Sequence, residues 1–405
     1  MTRYVTMSFA AAMIALAACD SDKIVNPPAT SLNTGIFKSY VAIGNSITAG
    51  YQSGGILDST QQESFAALLA HAAGTRYAYP ALVAPGCPPP IVNFQTGARL
   101  LNGTATTCLG RDPSKLSAIL NNVAVPGAAV ADLTALTTAN ANALTTFILG
   151  GKTQIQKALD AQPTFVTVEI GNNDLLPAAL TGVPIPDAQV QSPGITPVDS
   201  FVVQYARAIN QLTSAQPKLK GVLLGVFNVT LIGALFPIDS VINNPFLGGA
   251  VDLAAGHAIT YAPDCVNSGA LLSLEVLPLI AAGEFPPTIG CGDLDPFTLD
   301  HNKLLLFLGT LQAYNAYIQA KADSIGFAYM DPNPLLVQLR AVDSIPPYPN
   351  FASATHPFGS FITLDGIHPS AAAHQLIAAA MIAKIDSVYG LTIGQPTLAQ
   401  RVATR

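Results

Sequence analysis

Gly44-Asn45-Ser46-Ile47-Thr48-Ala49-Gly50 directly follows the apolar run Tyr40-Val41-Ala42-Ile43. A buried strand that stops at a glycine and then presents a serine is where an open α/β sheet places a reactive group. Alone, Gly-x-Ser is a weak signal, and serine is also a favoured helix cap. Three later segments decide how it is read.

The first is Asp365-Gly366-Ile367-His368-Pro369. Serine is a poor nucleophile until a base takes its proton, and that base needs an orienting carboxylate. Asp365 and His368, three residues apart on a turn, can face the same way. Pro369 then starts the last helical pattern. His71, His257, His301, His356 and His374 have no aspartate at that offset.

The other two segments are candidates for holding an oxyanion. Val123-Ala124-Val125-Pro126-Gly127 ends one apolar run with a glycine. Gly171-Asn172-Asn173-Asp174 ends another, and offers an amide side chain. Asp174 reads as a scaffold residue that ties its loop by hydrogen bonds. Glu169, inside an apolar strand, must be paired or at an edge, and no role is assigned to it.

Apolar runs at 39–43, 122–125, 164–170, 222–227 and 327–330 read as strands. Helical patterns at 63–73, 197–212, 304–322 and 370–388 fall between or after them. Thr196 is the expected N-cap of the second, with Pro197 in its first turn. Such alternation predicts a parallel sheet covered on both faces. The run 222–236 is apolar enough to suggest a membrane span, but Gly221, Gly225 and Pro237 punctuate it, so it reads as a buried strand and loop.

Four blocks now stand in one order, and together they resemble the SGNH, or GDSL-type, hydrolases. Gly44-Asn45-Ser46 is similar to the first block, Gly127 to the second, Gly171-Asn172-Asn173-Asp174 to the third, and Asp365 with His368 to the last. Asn45 departs from the aspartate that the family most often has there. The resemblance implies a three-layer α/β/α sandwich with a flavodoxin-like parallel sheet of about five strands. It also implies an ester hydrolase with Ser46 as nucleophile, His368 as base and Asp365 as orienter. Ser46, Gly127 and Asn173 would form the oxyanion hole, with no metal or other cofactor. An α/β-hydrolase elbow is excluded, because position 48 is threonine and no Gly-x-Ser-x-Gly occurs.

The N-terminus reads as a targeting segment. Arg3 precedes an apolar stretch, too short to span comfortably, that ends in Leu16-Ala17-Ala18-Cys19. This resembles the bacterial lipobox, which implies acylation at Cys19 and a lipid anchor in the cell envelope. The expected organisation is a signal peptide at 1–18, a tether at 19–35, a hydrolase domain at 36–391 and a tail at 392–405. Two stretches, about 79–111 and 236–300, break the alternation and read as insertions, either lids or binding walls. Each carries two cysteines, and the economical pairing is Cys87–Cys108 and Cys265–Cys291. Each bridge is worth on the order of 3 kcal/mol if unstrained. The insertions are expected to have little core of their own. A zinc site is a poor alternative, with no Cys-x-x-Cys pair.

Charged residues make up only 10% and the formal charge is −6. That offers no basic patch for nucleic acid. The expected partners are an ester substrate (a lipid, or an acylated small molecule or glycan) and the membrane that holds the anchor, and the expected activity is on short- to medium-chain acyl esters or lipids. A polysaccharide O-acetyl esterase, or a non-catalytic binding lipoprotein, is the alternative.

Overall fold

The computed structural model describes residues 35–135, 143–186 and 194–397. The expected signal peptide, Cys19, the expected tether up to residue 34 and the tail from residue 398 lie outside the described residues.

Four parallel strands form the central sheet: β1 (Tyr40–Gly44), β2 (Phe165–Glu169), β3 (Lys220–Leu224) and β4 (Ala328–Met330), side by side in that order. Tyr40 pairs with Phe165 and Phe165 with Lys220, so the three long strands run in step. The expected strand at 122–125 lies along the outer edge of β1, but incompletely. Ala42 N donates to Asn121 O at 2.7 Å, Val123 N to Ala42 O at 2.9 Å and Val125 N to Gly44 O at 3.1 Å. Between them, Gly44 N donates to the side-chain Oε1 of Gln154 at 3.1 Å, which interrupts the ladder. Counting this edge, the order is that of a flavodoxin-like sheet.

Side-chain alternation builds the two outer layers. Val41, Ile43, Val166, Val168 and Leu223 face one way. They pack on α3 (Val198–Ala215) and α4 (His301–Ile325) through Phe201, Tyr205, Phe307, Tyr314 and Ile318. Tyr40, Ala42, Phe165, Val222 and Leu224 face the other way. They meet α2 (Phe65–Ala72) and the last helix, α6 (Ala371–Tyr389). On α6 the inward residues Ala373, Ile377, Met381 and Ile385 recur every four positions, one stripe of an α-helix. Full burial of each large side chain stabilises the fold by about 1.5–3 kcal/mol.

Several boundaries differ from the reading of the sequence. Pro197, not Thr196, stands at the N-terminal boundary of α3, because the Thr196 hydroxyl donates to Asp174 Oδ1 at 2.8 Å instead. α4 begins at His301, where Asp300 accepts from Lys303 N at 2.9 Å. The run 222–236 supplies the end of β3 and then a short 3₁₀ turn, Val229–Leu231. Among the described residues no helix is long and apolar enough to cross a membrane.

The second insertion is better built than expected. Leu235–Pro237, Leu271–Ser273 and Thr298–Leu299 form an antiparallel sheet. Phe236, Val251, Leu272, Val276 and Ile280 head a hydrophobic cluster whose buried members all come from this segment, and Cys265 and Cys291 are buried in it. The disulfides pair as read, Cys87–Cys108 and Cys265–Cys291. The second bridge therefore sits inside a small core rather than replacing one.

Candidate active site

All the candidate groups lie beyond the carboxyl ends of the strands, around the point where the strand order reverses between β1 and β2. β1 ends at Gly44, and the chain enters a one-turn helix, α1 (Ser46–Ala49). Asn45 caps it, its Oδ1 accepting from Ile47 N at 3.0 Å. Gly44 has to be glycine: a Cβ there would stand 2.5 Å from Glu169 O and 2.5 Å from the Thr48 hydroxyl. The tight turn leaves the Ser46 side chain at the surface of the site, with the residue 8% exposed.

The loop between α5 (Asn333–Ala341) and α6 brings the other two side chains. Thr363 N donates to His368 O at 2.9 Å and Ser370 N to Phe361 O at 3.0 Å, closing the loop at its base. At its tip Gly366 adopts a φ of 72°, a region that favours glycine. A Cβ there would also stand 2.9 Å from Ala234 N. So held, His368 Nε2 lies 2.9 Å from Ser46 Oγ, and Nδ1 lies 2.8 Å from Asp365 Oδ2.

Asp365 is well supplied with donors. Its Oδ1 accepts from Ile367 N, His368 N and the Thr363 hydroxyl at 2.9, 2.9 and 3.0 Å. Its Oδ2 also accepts from Gly54 N at 2.6 Å. Burial alone would raise this carboxyl. The His368 charge and the hydrogen bonds outweigh burial and hold it down to about 2. It is a fixed anion over the whole range in which an imidazole titrates.

The third and second blocks meet as well. Asn173 Nδ2 donates to Ala128 O at 2.8 Å, tying the loop after β2 to the turn that contains Gly127. An amide nitrogen has two hydrogens, so one remains to face the site. Gly127 has a φ of 76° in that turn. Among the described residues no hydrogen bond takes up the backbone N–H of Ser46 or of Gly127. Asp174 is a scaffold residue: its Oδ2 accepts from Val130 N at 3.0 Å and its Oδ1 from Thr196.

Three contributors were not read from the sequence. The Tyr51 ring lies 4.8 Å from the His368 ring, centroid to centroid. Burial, and then the negative charge of Asp365, push its phenol up to about 12, so it stays neutral. Thr363 and Gly54 are the others. Arg99, from the first insertion, holds Gly54 in turn, its Nη1 donating to Gly54 O at 2.8 Å.

A cavity of about 70 Å³ opens on Ser46 and His368. Its walls are apolar, with Ile47, Phe227, Leu336, Ile345, Ala373 and Ile377 among them. A water-sized group needs about 10–15 Å³ by this measure. The cavity therefore has more room than an acetyl methyl would fill.

Residues 40–381 match the family model described as GDSL-like lipase/acylhydrolase. The chain belongs to the GDSL-like lipase/acylhydrolase family. Its members are carboxylic ester hydrolases, and so is this protein. No curated protein matches. Among solved structures, the chain is similar to a catalytic mutant of an acetylxylan esterase from Geobacillus stearothermophilus. That likeness has 13% identity and a TM-score of 0.39, over 86% of this chain and 93% of the other. It is similar also to a GDSL-like lipase from Parabacteroides merdae, at 11% identity and a TM-score of 0.38, over 87% and 96% of the two chains. An extracellular lipase from Streptomyces rimosus matches at 13% identity and a TM-score of 0.37, over 85% and 99%.

Proposed function

We propose that this GDSL hydrolase cleaves short- to medium-chain acyl esters through an acyl-serine intermediate on Ser46. The observation that carries the reading is the hydrogen-bonded chain Ser46–His368–Asp365 at the mouth of an apolar cavity. His368 Nε2 takes the Ser46 proton as Oγ attacks the ester carbonyl. The oxyanion that forms is held by the N–H groups of Ser46 and Gly127 and by the free hydrogen of the Asn173 amide. His368 then gives the proton to the departing alkoxide, which leaves as alcohol. Water, deprotonated by the same nitrogen, attacks the acyl-serine and releases the acid. Asp365, held ionised, stabilises the imidazolium in both halves.

The acyl group lies in the apolar cavity, whose volume of about 70 Å³ is more than an acetyl methyl fills. The second insertion carries a helix, Pro245–Ala255, that exposes Phe246 and Leu253 almost fully. Such apolar exposure suits a lipid substrate. The chain is anchored in the bacterial envelope by acylation at Cys19.

The test is hydrolysis of aryl acetate, butyrate, hexanoate and octanoate by the chain lacking residues 1–18. The expected kcat/KM peaks at four to eight carbons and vanishes in Ser46→Ala. A maximum at acetate would favour a polysaccharide O-acetyl esterase, and full activity in Ser46→Ala would remove the nucleophile. Incorporation of labelled palmitate into the full chain, but not into Cys19→Ser, tests the anchor.

A further inference from the structure

Glu169 ends β2 with its side chain fully buried, and none of the ion pairs among the described residues includes it. An isolated buried carboxyl is costly unless donors surround it. Here they come from the two loops of the active site. Oε1 accepts from Asn45 Nδ2 at 2.9 Å. Oε2 accepts from the Thr48 hydroxyl at 2.9 Å and from Thr48 N at 3.3 Å. With its amide turned to donate, Asn172 Nδ2 stands 3.0 Å from Oε1, and its oxygen then accepts from Phe227 N. Asn45 directly precedes Ser46, Thr48 lies in the same turn, and Asn172 directly precedes Asn173. One carboxyl thus ties the serine's turn to the amide's loop.

We propose that Glu169 and Asn45 form one positioning unit for Ser46, with the carboxyl on the strand side and the neutral amide on the serine's side. The inference rests on the reading of Ser46 as nucleophile. It explains why Asn45 stands where aspartate is usual in the first block. The exchange Asn45→Asp would keep the cap on Ile47 N but would bring a second carboxylate against Glu169. Two such groups in contact cannot both ionise cheaply. The geometry also specifies the cure. With Glu169→Gln added, the new amide nitrogen would donate to the introduced carboxylate, while the amide oxygen still accepted from Thr48.

The experiment compares Asn45→Asp, Glu169→Gln and the double exchange, with kcat, KM and Tm measured on one aryl butyrate. Each single variant is expected to lose about 30-fold or more in kcat with KM within about threefold, the pattern of a misplaced nucleophile. The double exchange is expected to recover to within about fivefold of the parent. An unchanged kcat in Asn45→Asp overturns the proposal. So does a double variant no better than the weaker single, or one that recovers Tm but not kcat. If a single variant does not fold, Thr48→Val stands in for it. Removing that one hydroxyl donor should lower kcat about tenfold at constant KM, and an unchanged kcat there again overturns the proposal. Ser46→Ala is measured alongside: if it stays active, the nucleophile reading fails, whereas an inactive Ser46→Ala with no rescue in the double variant fails this proposal alone.

Discussion

The backbone N–H of Gly54 donates to Asp365 Oδ2 at 2.6 Å, across 311 positions of sequence. The same oxygen holds His368 Nδ1. The orienting carboxylate is therefore gripped from the nucleophile's side of the fold as well as from its own loop.

That grip predicts the behaviour of Thr363→Val, which removes the hydroxyl on Asp365 Oδ1. A hydrogen bond to a charged group is worth about 1.5–3 kcal/mol, so kcat should fall about tenfold at constant KM. The carboxyl of Asp365 is depressed to about 2, so the stability it contributes is complete above about pH 4 and is lost as pH falls through about 2. Removing a donor raises that carboxyl, and the acid limb of the Tm profile should move up in pH. An unmoved profile would mean that the backbone donors suffice.

Asn173→Ala removes the amide that Ala128 O holds in place. Loss of one oxyanion donor costs about 100- to 1000-fold in kcat. KM should change little, and a serine-directed phosphonate should still label Ser46. A loss smaller than about tenfold would leave the oxyanion to the backbone N–H groups alone.

Ala373→Leu places a larger side chain in the wall of the cavity. Octanoate hydrolysis should fall by about tenfold or more, while acetate hydrolysis stays within about threefold, because each methylene excluded is worth about 1–3 kcal/mol. Equal losses on both esters would show that the acyl chain lies elsewhere.

Glu169 also leaves a mark on stability. Burial, opposed by the hydrogen bonds from Thr48 and Asn45, raises its carboxyl from 4.5 to about 7. A raised acid costs stability as pH rises from its unfolded value through its folded one. The Tm advantage of the parent over Glu169→Gln should therefore shrink between about pH 4.5 and 7. The comparison between variants is the right measurement, because other buried groups add their own slopes. Asp174 is raised in the same way by burial. His374, driven down to about 3 by burial and then by the charge of His368, contributes the opposite slope. A Tm difference that stays flat over this range would mean that Glu169 titrates at its ordinary value.

Replacing Cys265 and Cys291 together by serine opens a loop with a sequence separation of 26 residues. The loss is on the order of 3 kcal/mol, or about 3–4 °C in Tm for a chain of this length. Because the insertion keeps its own apolar cluster, activity at 25 °C should survive. Loss of activity with little change in Tm would instead make the bridge part of the site.

What was legible in the sequence was what short range decides. Strands buried on both faces are continuous apolar runs, and Ser46 and Asn173 stand just beyond the ends of two of them, while Asp365 and His368 could be found by their spacing before the last helix. Groups that act across the fold left no local trace. Gly54 and Tyr51 carry no pattern that points to a loop more than 300 residues away. Thr363 had a faint one, a hydroxyl two positions before the aspartate it serves. Glu169 was conspicuous as an acid in an apolar strand, yet its partners are side chains from two other segments. The edge strand at 122–125 was read as regular because its apolar run is continuous, whereas the side chain of Gln154 takes over one of its hydrogen bonds. The core of the second insertion was hidden because its apolar residues come from segments that are scattered in sequence and gathered only by the antiparallel sheet.

His368 lies 322 positions beyond the serine it contacts. A nascent chain can thus complete most of the central sheet while its hydroxyl is still without a base. Hydrolytic competence arrives only when the final helix is made and docks, so premature termination anywhere before that point yields an inert product rather than a weakened enzyme.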